Sequence, residues 1–394
     1  MEAVGIIAEY NPFHNGHLYQ LRQVKRRFPH SVVVVAMSGN YLQRGEPACL
    51  DKWTRVRAAL CNGADVIVEL PVRASVQPAD VFARWGVRIL ANMGVSTLAF
   101  GAEHAEYDFA ALAAQTATVR GDFTVHDQSY AATYQQAIAA AVGHPIDQPN
   151  DVLGLAYAKA NQELHCPLHL APIQRRNAAY LDAELTAGSI ASATAIRRAW
   201  QDGKANDVFR YVPRETAAAL QQHGFVGWKQ LWPGLRQRLV TTSPAHLRLI
   251  VGMAEGIEYR LIRLAQELPA DASFATWLKA VKSKRFTYTR LARLAMNVAL
   301  GITTDEVAAF AAHPYTHLLG FTPKGQRYLR QAKHHYAFPV LTKVNQDDKN
   351  GFYASDYRAG VLYRLAAGGQ EQDLKRAPVR VMKEDDDGST VVTE

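Results

Sequence analysis

The first half of the chain alternates short apolar runs with segments whose apolar residues recur at helical spacing. The runs predict five strands, at residues 4–8, 32–37, 65–70, 97–100 and 168–173. The segments between them predict helices at about residues 17–28, 52–62 and 80–93, a mostly helical stretch over 107–164, and a helix that begins near Ser192 or Thr194. Strands that alternate with helices of this length form right-handed βαβ units. We therefore expect an α/β fold with a Rossmann-like parallel sheet.

The pattern changes after about residue 205. Strand-like runs become rare, and apolar residues recur at helical spacing, as at Leu247, Ile250, Val251 and Ala254. We expect three parts: an α/β domain over residues 1–204, a mainly helical domain over 205–383, and a flexible acidic tail over 384–394.

Composition indicates a globular protein, with 48% apolar and 20% charged residues. Apolar runs such as 32–37 are too short to span a bilayer. The N-terminal segment reaches a charged residue by Glu9, so it does not have the basic and apolar regions of a signal peptide. The cysteines Cys49, Cys61 and Cys166 are odd in number and widely spaced. They exclude a four-cysteine metal site and indicate a reducing compartment. We expect a soluble, cytoplasmic protein with no membrane partner.

The positive charge is confined to the second half. Residues 1–200 carry 17 basic and 17 acidic residues, whereas 201–394 carry 27 against 19, which is the whole net charge of +8. Without the five acids of the tail, residues 201–383 reach 27 − 14 = +13. Such a surplus is typical of a domain that binds a polyanion. A solvated basic surface is the alternative.

The motif His14-x-Gly16-His17 follows the first predicted strand directly. Open α/β sheets bind ligands at this position, outside the carboxyl ends of the strands. Two imidazoles and a helix N-terminus can donate hydrogen bonds to phosphate, and Gly16 lets a nucleotide approach the backbone. These donors suit the charge that develops on an α-phosphate when pyrophosphate leaves. Two structural histidines that cap a turn are the alternative.

A second element, residues 190–197, opens a helix after the last predicted strand of the first half. Its hydroxyl residues leave backbone N–H groups for phosphates, and Arg197 could hold a β- or γ-phosphate with two hydrogen bonds. Taken alone, it is an ordinary capped helix. The chain carries no Walker P-loop, no dinucleotide GxGxxG and no HExxH zinc motif.

Taken together, these motifs resemble the nucleotidylyltransferase superfamily, which is related to class I aminoacyl-tRNA synthetases, and within it the tRNA(Met) cytidine acetate ligase family. The resemblance rests on segments spread in order over about 200 residues. They are residues 4–17, 37–48, Lys52-Trp53, 69–71, 100–103, 149–154 and 190–197. The second half is similar more loosely, mainly through residues 284–290.

The resemblance implies an activity and a site. It makes residues 1–204 a nucleotidylyltransferase-like catalytic domain for ATP and acetate, and residues 205–383 a basic tRNA-binding domain. Such enzymes use ATP and acetate to make acetyl-adenylate and release pyrophosphate, and they pass the acetyl group to N4 of the wobble cytidine of elongator tRNA(Met), giving N4-acetylcytidine without acetyl-CoA. We expect His14 and His17 to be catalytic, by stabilising the α-phosphate, and Mg²⁺ to bridge the β- and γ-phosphates.

The ATP site expected from the resemblance and from the second element comprises Ile7, Ala8, Glu9, Tyr10, Asn11, Pro12, Phe13, His14, Asn15, Gly16, His17, Leu18, Tyr19, Gln20, Gly101, Asn150, Arg175, Arg176, Ser192 and Arg197. The chain departs from the family pattern at Ala102, where serine is usual, and at Leu181, where histidine is common. A helix cap alone could explain Asn150.

Two further groups complete the expected sites. Gly39, Asn40 and Lys52 lie in a long polar loop and are candidates for acetate or phosphate binding, with a solvated loop as the alternative. Residues 281–293 interleave bases with aromatics, as RNA-binding segments do. The expected tRNA contacts there are Lys282, Lys284, Arg285, Arg290 and Arg293.

Two other functions remain open at this point. One is an adenylyltransferase that acts on a small phosphorylated cofactor precursor, although such enzymes are usually a single compact domain. The other is a non-catalytic RNA-binding protein with a relic nucleotide site. We expect no DNA partner in any case.

Overall fold

The structure, a computed structural model, describes residues 1–119, 130–165, 167–175, 185, 188–382 and 391–393. Arg176, Leu181 and most of the expected tail lie outside these residues. The described strands are β1 (Ala3–Ala8), β2 (Val32–Ser38), β3 (Val66–Leu70), β4 (Thr97–Ala102), β5 (His169–Gln174), β6 (Thr316–Phe321), β7 (Val340–Leu341), β8 (Val379–Met382) and β9 (Val391–Thr393). They form one sheet in the order β5-β4-β1-β2-β3-β6-β8-β9, and β7 pairs with β6.

The helices of the first half are α1 (Asn15–Arg27), α2 (Lys52–Cys61), α3 (Val72–Ser75), α4 (Ala79–Asn92), α5 (Phe109–Gln115), α6 (Tyr130–Val142), α7 (Pro149–Gln162) and α8 (Ala193–Gln201). Those of the second half are α9 (Ala205–Val208), α10 (Arg214–His223), α11 (Trp228–Thr241), α12 (Pro244–Leu247), α13 (Ile257–Glu267), α14 (Phe274–Val281), α15 (Tyr288–Leu300), α16 (Thr304–Ala312), α17 (Pro323–Ala332), α18 (Gln346–Asn350) and α19 (Ala354–Ala367). Short 3₁₀ turns occupy Phe209–Tyr211 and Lys333–His335.

The five strands predicted in the first half are confirmed, and all of them run parallel. Strand β2 is buried on both faces because its side chains alternate between two cores. Val32, Val34 and Ala36 pack with residues of α4 and α7, whereas the alternate side chains of the strand pack with residues of α1 and α2. The sheet is therefore a middle layer between helices, and the carboxyl ends of its five parallel strands meet at one edge.

The second half is mainly helical, as expected, and α11, α13, α14 and α15 share a core of their own. The structure nevertheless differs from the expected boundary at residue 204. Strand β6 lies antiparallel to β3, and β8 and β9 extend the same sheet. The sequence pattern missed these strands; β8 and β9 are only four and three residues long, whereas β6, at six residues, is as long as β1. The chain thus returns to the first sheet, and part of the expected flexible tail, Val391–Thr393, is a strand.

Candidate functional site

The two motif histidines close the turn between β1 and α1. His14 is the N-cap of α1, and its Nδ1 accepts the backbone N–H of Gly16 at 3.0 Å. In return, Nδ1 of His17 accepts the backbone N–H of His14 at 3.3 Å. The two rings stack with their centroids 3.8 Å apart. The motif therefore forms a reciprocal capping box in which imidazoles take the roles usually held by a hydroxyl and a carboxylate.

This capping fixes the chemistry of both rings. A nitrogen that accepts a backbone N–H carries no proton, so each neutral ring holds its proton on Nε2 and is a donor there. Burial, together with the charges of the nearby Arg175 and Arg197 guanidinium groups, lowers the pKa of His14 to about 3. Burial, His14 and Arg175 likewise hold the pKa of His17 well below its usual value. Both rings are thus neutral hydrogen-bond donors at pH 7.

A cleft opens beside these rings at the carboxyl edge of the sheet. The space between its lining atoms is about 450 Å³, including the part open to solvent. It is lined by residues from the β1–α1 turn, from the ends of β4 and β5, and from the start of the α8 segment. They are His14, Gly16, His17, Tyr19, Gln20, Gly101, Ile173, Gln174, Arg175, Ile190 and Ala191. The structure thus brings together side chains that lie far apart in the sequence.

Two arginines place positive charge around the histidine pair. Arg197, on α8, donates from Nη1 to the Asn11 carbonyl at 2.9 Å, and its Nη2 lies 3.5 Å from Glu46 Oε2. Arg175 lies 3.5 Å from a Glu103 oxygen, and its buried Nε has no hydrogen-bond partner among the described residues. Ser192 caps α8 by accepting the N–H of Ala195, as expected. The site combines neutral donors, cations and two helix N-termini, which suits a phosphate chain.

The two glycines of the site lack a side chain for different reasons. A Cβ on Gly16 would lie 2.8 Å from Cε1 and 3.0 Å from Nδ1 of the His14 ring. Gly16 therefore makes room for a protein side chain, which the sequence reasoning missed. Among the described residues, the atoms nearest to a Cβ on Gly101 belong to Arg175 and begin at 3.5 Å, an ordinary contact distance that leaves room for a side chain. This leaves the expected reason for Gly101, space for a ligand, in place as a prediction.

Asn150 belongs to a polar junction rather than to the lining of the cleft. The helix α7 begins at Pro149, and Asn150 donates from Nδ2 to Glu103 Oε1 at 2.5 Å. Glu103 also accepts the backbone N–H groups of Asn150 and Asp151, while Asp151 accepts those of Glu103 and His104. The pair Glu103 and Asp151 ties β4 to α7. Sequence reasoning assigned them no role, because their roles depend on a contact between distant segments.

The expected acetate candidates lie apart from the histidine cleft, and their role in binding acetate or phosphate stays a prediction. Gly39, Asn40 and Lys52 line a small separate cavity of about 230 Å³, including space open to solvent. Lys52 is 2% exposed, and its Nζ lies 2.8 Å from Glu69 and 2.5 Å from Asp373. The Lys52 ammonium is thus already paired with two buried carboxylates in this structure. Asn40 joins the same cluster by accepting the Lys52 N–H and donating to Gln372.

The expected tRNA contacts lie at the junction of α14 and α15. Lys282, Lys284 and Arg285 are exposed, and Arg285 lies 3.1 Å from Glu255. Of the two aromatics there, Phe286 is buried in the helical core whereas Tyr288 is exposed and lies under the Lys282 ammonium. The segment presents cations and one ring to solvent.

Arg293, the last of the expected tRNA contacts, lies where the loop after β2 packs on α15. Arg293 is partly buried, and burial, with repulsion from Arg290 and Arg44, lowers its pKa to about 10. Gly45 packs directly on the backbone of α15, and Trp228 donates to the Gly45 carbonyl at 3.1 Å. The loop after β2 therefore links the cleft to the base-rich helix start.

The chain is similar to known proteins over nearly all of its length. A family model described as HIGH nucleotidyl transferase matches residues 1–377. The tRNA(Met) cytidine acetate ligase of Ligilactobacillus salivarius is 51% identical and covers 96% of this chain and 100% of its own. The enzyme of that name from Lactiplantibacillus plantarum is 45% identical, covering 97% and 99%.

Solved structures are similar as well. The Thermotoga maritima TmcAL structures, one apo and one bound with alpha-thio ATP, have TM-scores of 0.87 and 0.85 at 26% identity. Each covers 97% of this chain and 100% of the Thermotoga chain. Separately, none of the helices within the described part of the chain is long and apolar enough to cross a membrane.

Proposed function

Since this chain belongs to the tRNA(Met) cytidine acetate ligase family of HIGH nucleotidyl transferases, we infer that it is an ATP-dependent ligase that acetylates N4 of the wobble cytidine of elongator tRNA(Met). The observation that carries the mechanism is the pair of neutral imidazoles that present Nε2–H donors beside a basic cleft. A relative of the same fold binds an ATP analogue, so ATP is the nucleotide of the cleft.

In the first step an acetate oxygen attacks the α-phosphorus of ATP. The bond from phosphorus to the bridging oxygen breaks, and pyrophosphate leaves with the electron pair. Nε2 of His14 and of His17 donate hydrogen bonds to the α-phosphate oxygens, on which negative charge accumulates. Neutral rings are suited to this task because they cannot lose the donor as pH rises. Arg175 and Arg197 attract the triphosphate to the same place.

Mg²⁺ enters as part of the ATP substrate. The described residues that line the cleft include two histidines, two glutamines and an arginine but no carboxylate. Phosphate oxygens and water would therefore supply the ligands of the ion, which is its usual arrangement with nucleotides.

In the second step the cytosine N4 amine attacks the acetyl carbonyl, and AMP leaves. The wobble base is unpaired in an anticodon loop, so turning it into a site costs little. The surface of Lys282, Lys284, Arg285, Arg290 and Arg293 binds the RNA backbone. Its connection through the loop at Gly45 to the cleft supports this assignment.

Exchange of labelled pyrophosphate into ATP tests the first step. We expect exchange that requires acetate, and a loss of about 10²–10³-fold in His14→Ala, because one aligned donor is removed. Exchange that is independent of acetate contradicts the proposal. Incubation of tRNA, ATP and isotopic acetate, followed by mass analysis of the wobble nucleoside, tests the second step. An adenylyltransferase of small cofactors would leave the nucleoside unlabelled and would show no salt-sensitive tRNA binding.

A further inference from the structure

The acetyl-transfer step releases a proton that the paired histidines cannot take. Cytosine N4 begins as an amine and ends as an amide, so one N–H proton must leave. In both histidines Nδ1 already accepts a backbone N–H, and Nε2 carries a proton. Neither ring is therefore a base in this conformation. The acceptor is then either the phosphate of the departing AMP or another basic group at the carboxyl edge of the sheet.

Glu9 lies at the required place. It directly follows β1, at the carboxyl end of the strand that leads into the histidine turn, and its side chain is only partly exposed. One carboxylate oxygen, Oε1, accepts the Gln43 N–H at 2.7 Å. The other oxygen has no hydrogen-bond partner among the described residues. The backbone carbonyl of Glu9 accepts from Arg55, which holds the turn in place.

The surroundings of Glu9 connect it to both substrates. The charge of Arg197 acts on both Glu9 and His14, so the carboxylate and the nucleotide-facing ring share one cationic neighbour. Gln43, whose N–H the carboxylate accepts, lies in the loop after β2, and Gly45 of that loop packs on α15. Glu9 is therefore joined to the histidine turn by the chain itself and to the loop against α15 through Gln43.

Other acidic groups nearby are already engaged. Glu46 is near Arg197 and half exposed, and Glu103 caps α7. Burial raises the pKa of Glu9, as does the negative charge of Glu46, while the Gln43 N–H and the charges of Arg44 and Arg197 oppose the rise. The remaining groups that act on Glu9 electrostatically are Arg55 and Tyr157.

We propose that Glu9 is the general base of acetyl transfer, a role that rests on the proposed function. As N4 attacks the acetyl carbonyl carbon, a C–N bond forms and the C–O bond to the AMP phosphate breaks. AMP takes the electron pair, and the N4 proton passes to Oε2 of Glu9. A raised pKa makes the carboxylate a better base near neutral pH.

The variant Glu9→Gln tests this role because glutamine keeps the shape and can still accept the Gln43 N–H. Because Glu9 is also part of the expected ATP site, acetate-dependent pyrophosphate exchange is measured on the same variant, and we expect its loss to be smaller than the loss of transfer by about tenfold or more. Single-turnover transfer of acetyl to tRNA should fall by about 10²–10⁴-fold, the usual contribution of a general base. Transfer at the wild-type rate overturns the inference. Equal loss of exchange also overturns it, since Glu9 would then serve adenylation.

The variant Glu46→Gln supplies an independent readout. Wild-type transfer should rise with pH through the pKa of Glu9 and then level, because only the ionised carboxylate accepts a proton. Removing the Glu46 charge lowers that pKa and should move the rise to lower pH without abolishing transfer. An unmoved profile overturns the inference. If wild-type exchange does not depend on acetate, the proposed function itself fails, which is a distinct result.

Discussion

The replacement Gly16→Ala puts a methyl group where the His14 ring now lies. Its Cβ would be 2.8 Å from Cε1 and 3.0 Å from Nδ1 of that ring. Carbon atoms prefer separations of about 3.5–4.0 Å, so Cε1 of the ring has to move by roughly 0.7–1.2 Å. The ring then loses its hydrogen bond from the Gly16 N–H, and with it the constraint that keeps the proton on Nε2.

Two magnitudes follow from this displacement. Loss of an N-cap hydrogen bond costs about 0.5–2 kcal/mol of unfolding free energy, so the variant remains folded. Misplacement of one donor to the α-phosphate lowers the adenylation rate by about 10²–10³-fold. We therefore expect a protein that is nearly as stable as wild type but almost inactive in exchange.

The matched control is Gly101→Ala, which lies in the same cleft but whose added Cβ has the Arg175 side chain as its nearest described neighbour, at 3.5 Å. The unfolding free energy of this variant should equal that of wild type, and its main defect should be a raised KM for ATP. Acetate-dependent pyrophosphate exchange and urea unfolding are measured on both variants. Exchange by Gly16→Ala within about threefold of wild type would refute the assigned role of the capping box.

Four other outcomes are expected. Lys52→Met leaves two buried carboxylates without their cation and should lower the unfolding free energy by about 3–5 kcal/mol in urea titrations. Arg84→Met, which breaks an exposed pair, should cost less than about 1 kcal/mol, and equal losses would contradict the reasoning. Lys284→Ala should reduce the salt dependence of tRNA binding by about one unit of slope, with exchange unchanged, whereas Lys343→Ala, another exposed lysine, should not. As the pH is lowered from 8 to 6, the rate of pyrophosphate exchange with magnesium-saturated ATP should not fall. The reason is that both paired histidines have pKa values well below the usual value of about 6.5 and stay neutral in this range. A decline centred on about pH 6.5 would indicate that they titrate.

Local pattern was sufficient for the catalytic half of the fold. Each parallel strand is a short apolar run beside a helix with its own start signal, so residues close in sequence determine the element. The histidine motif was locatable for the same reason, since it occupies the turn that follows the first such run.

The surroundings of the candidate residues were not predictable in this way. Lys52 was expected in a ligand-binding loop, but it is held by Asp373, 321 positions away. Gly16 was expected to let a nucleotide approach the backbone, but in the structure its missing side chain makes room for the His14 ring. Glu9 was grouped with the nucleotide loop, and only the position of Gln43 and Arg197 around it indicates a base.

By itself the sequence determined the α/β class, the five parallel strands and the place of the histidine turn, because these depend on periodicity and on neighbouring residues. Only the tertiary structure decided that β6 returns to the first sheet beside β3 and that the Lys52 ammonium is held by Asp373. Those features depend on contacts between segments hundreds of residues apart. Their free energy is gained only when the whole chain is packed.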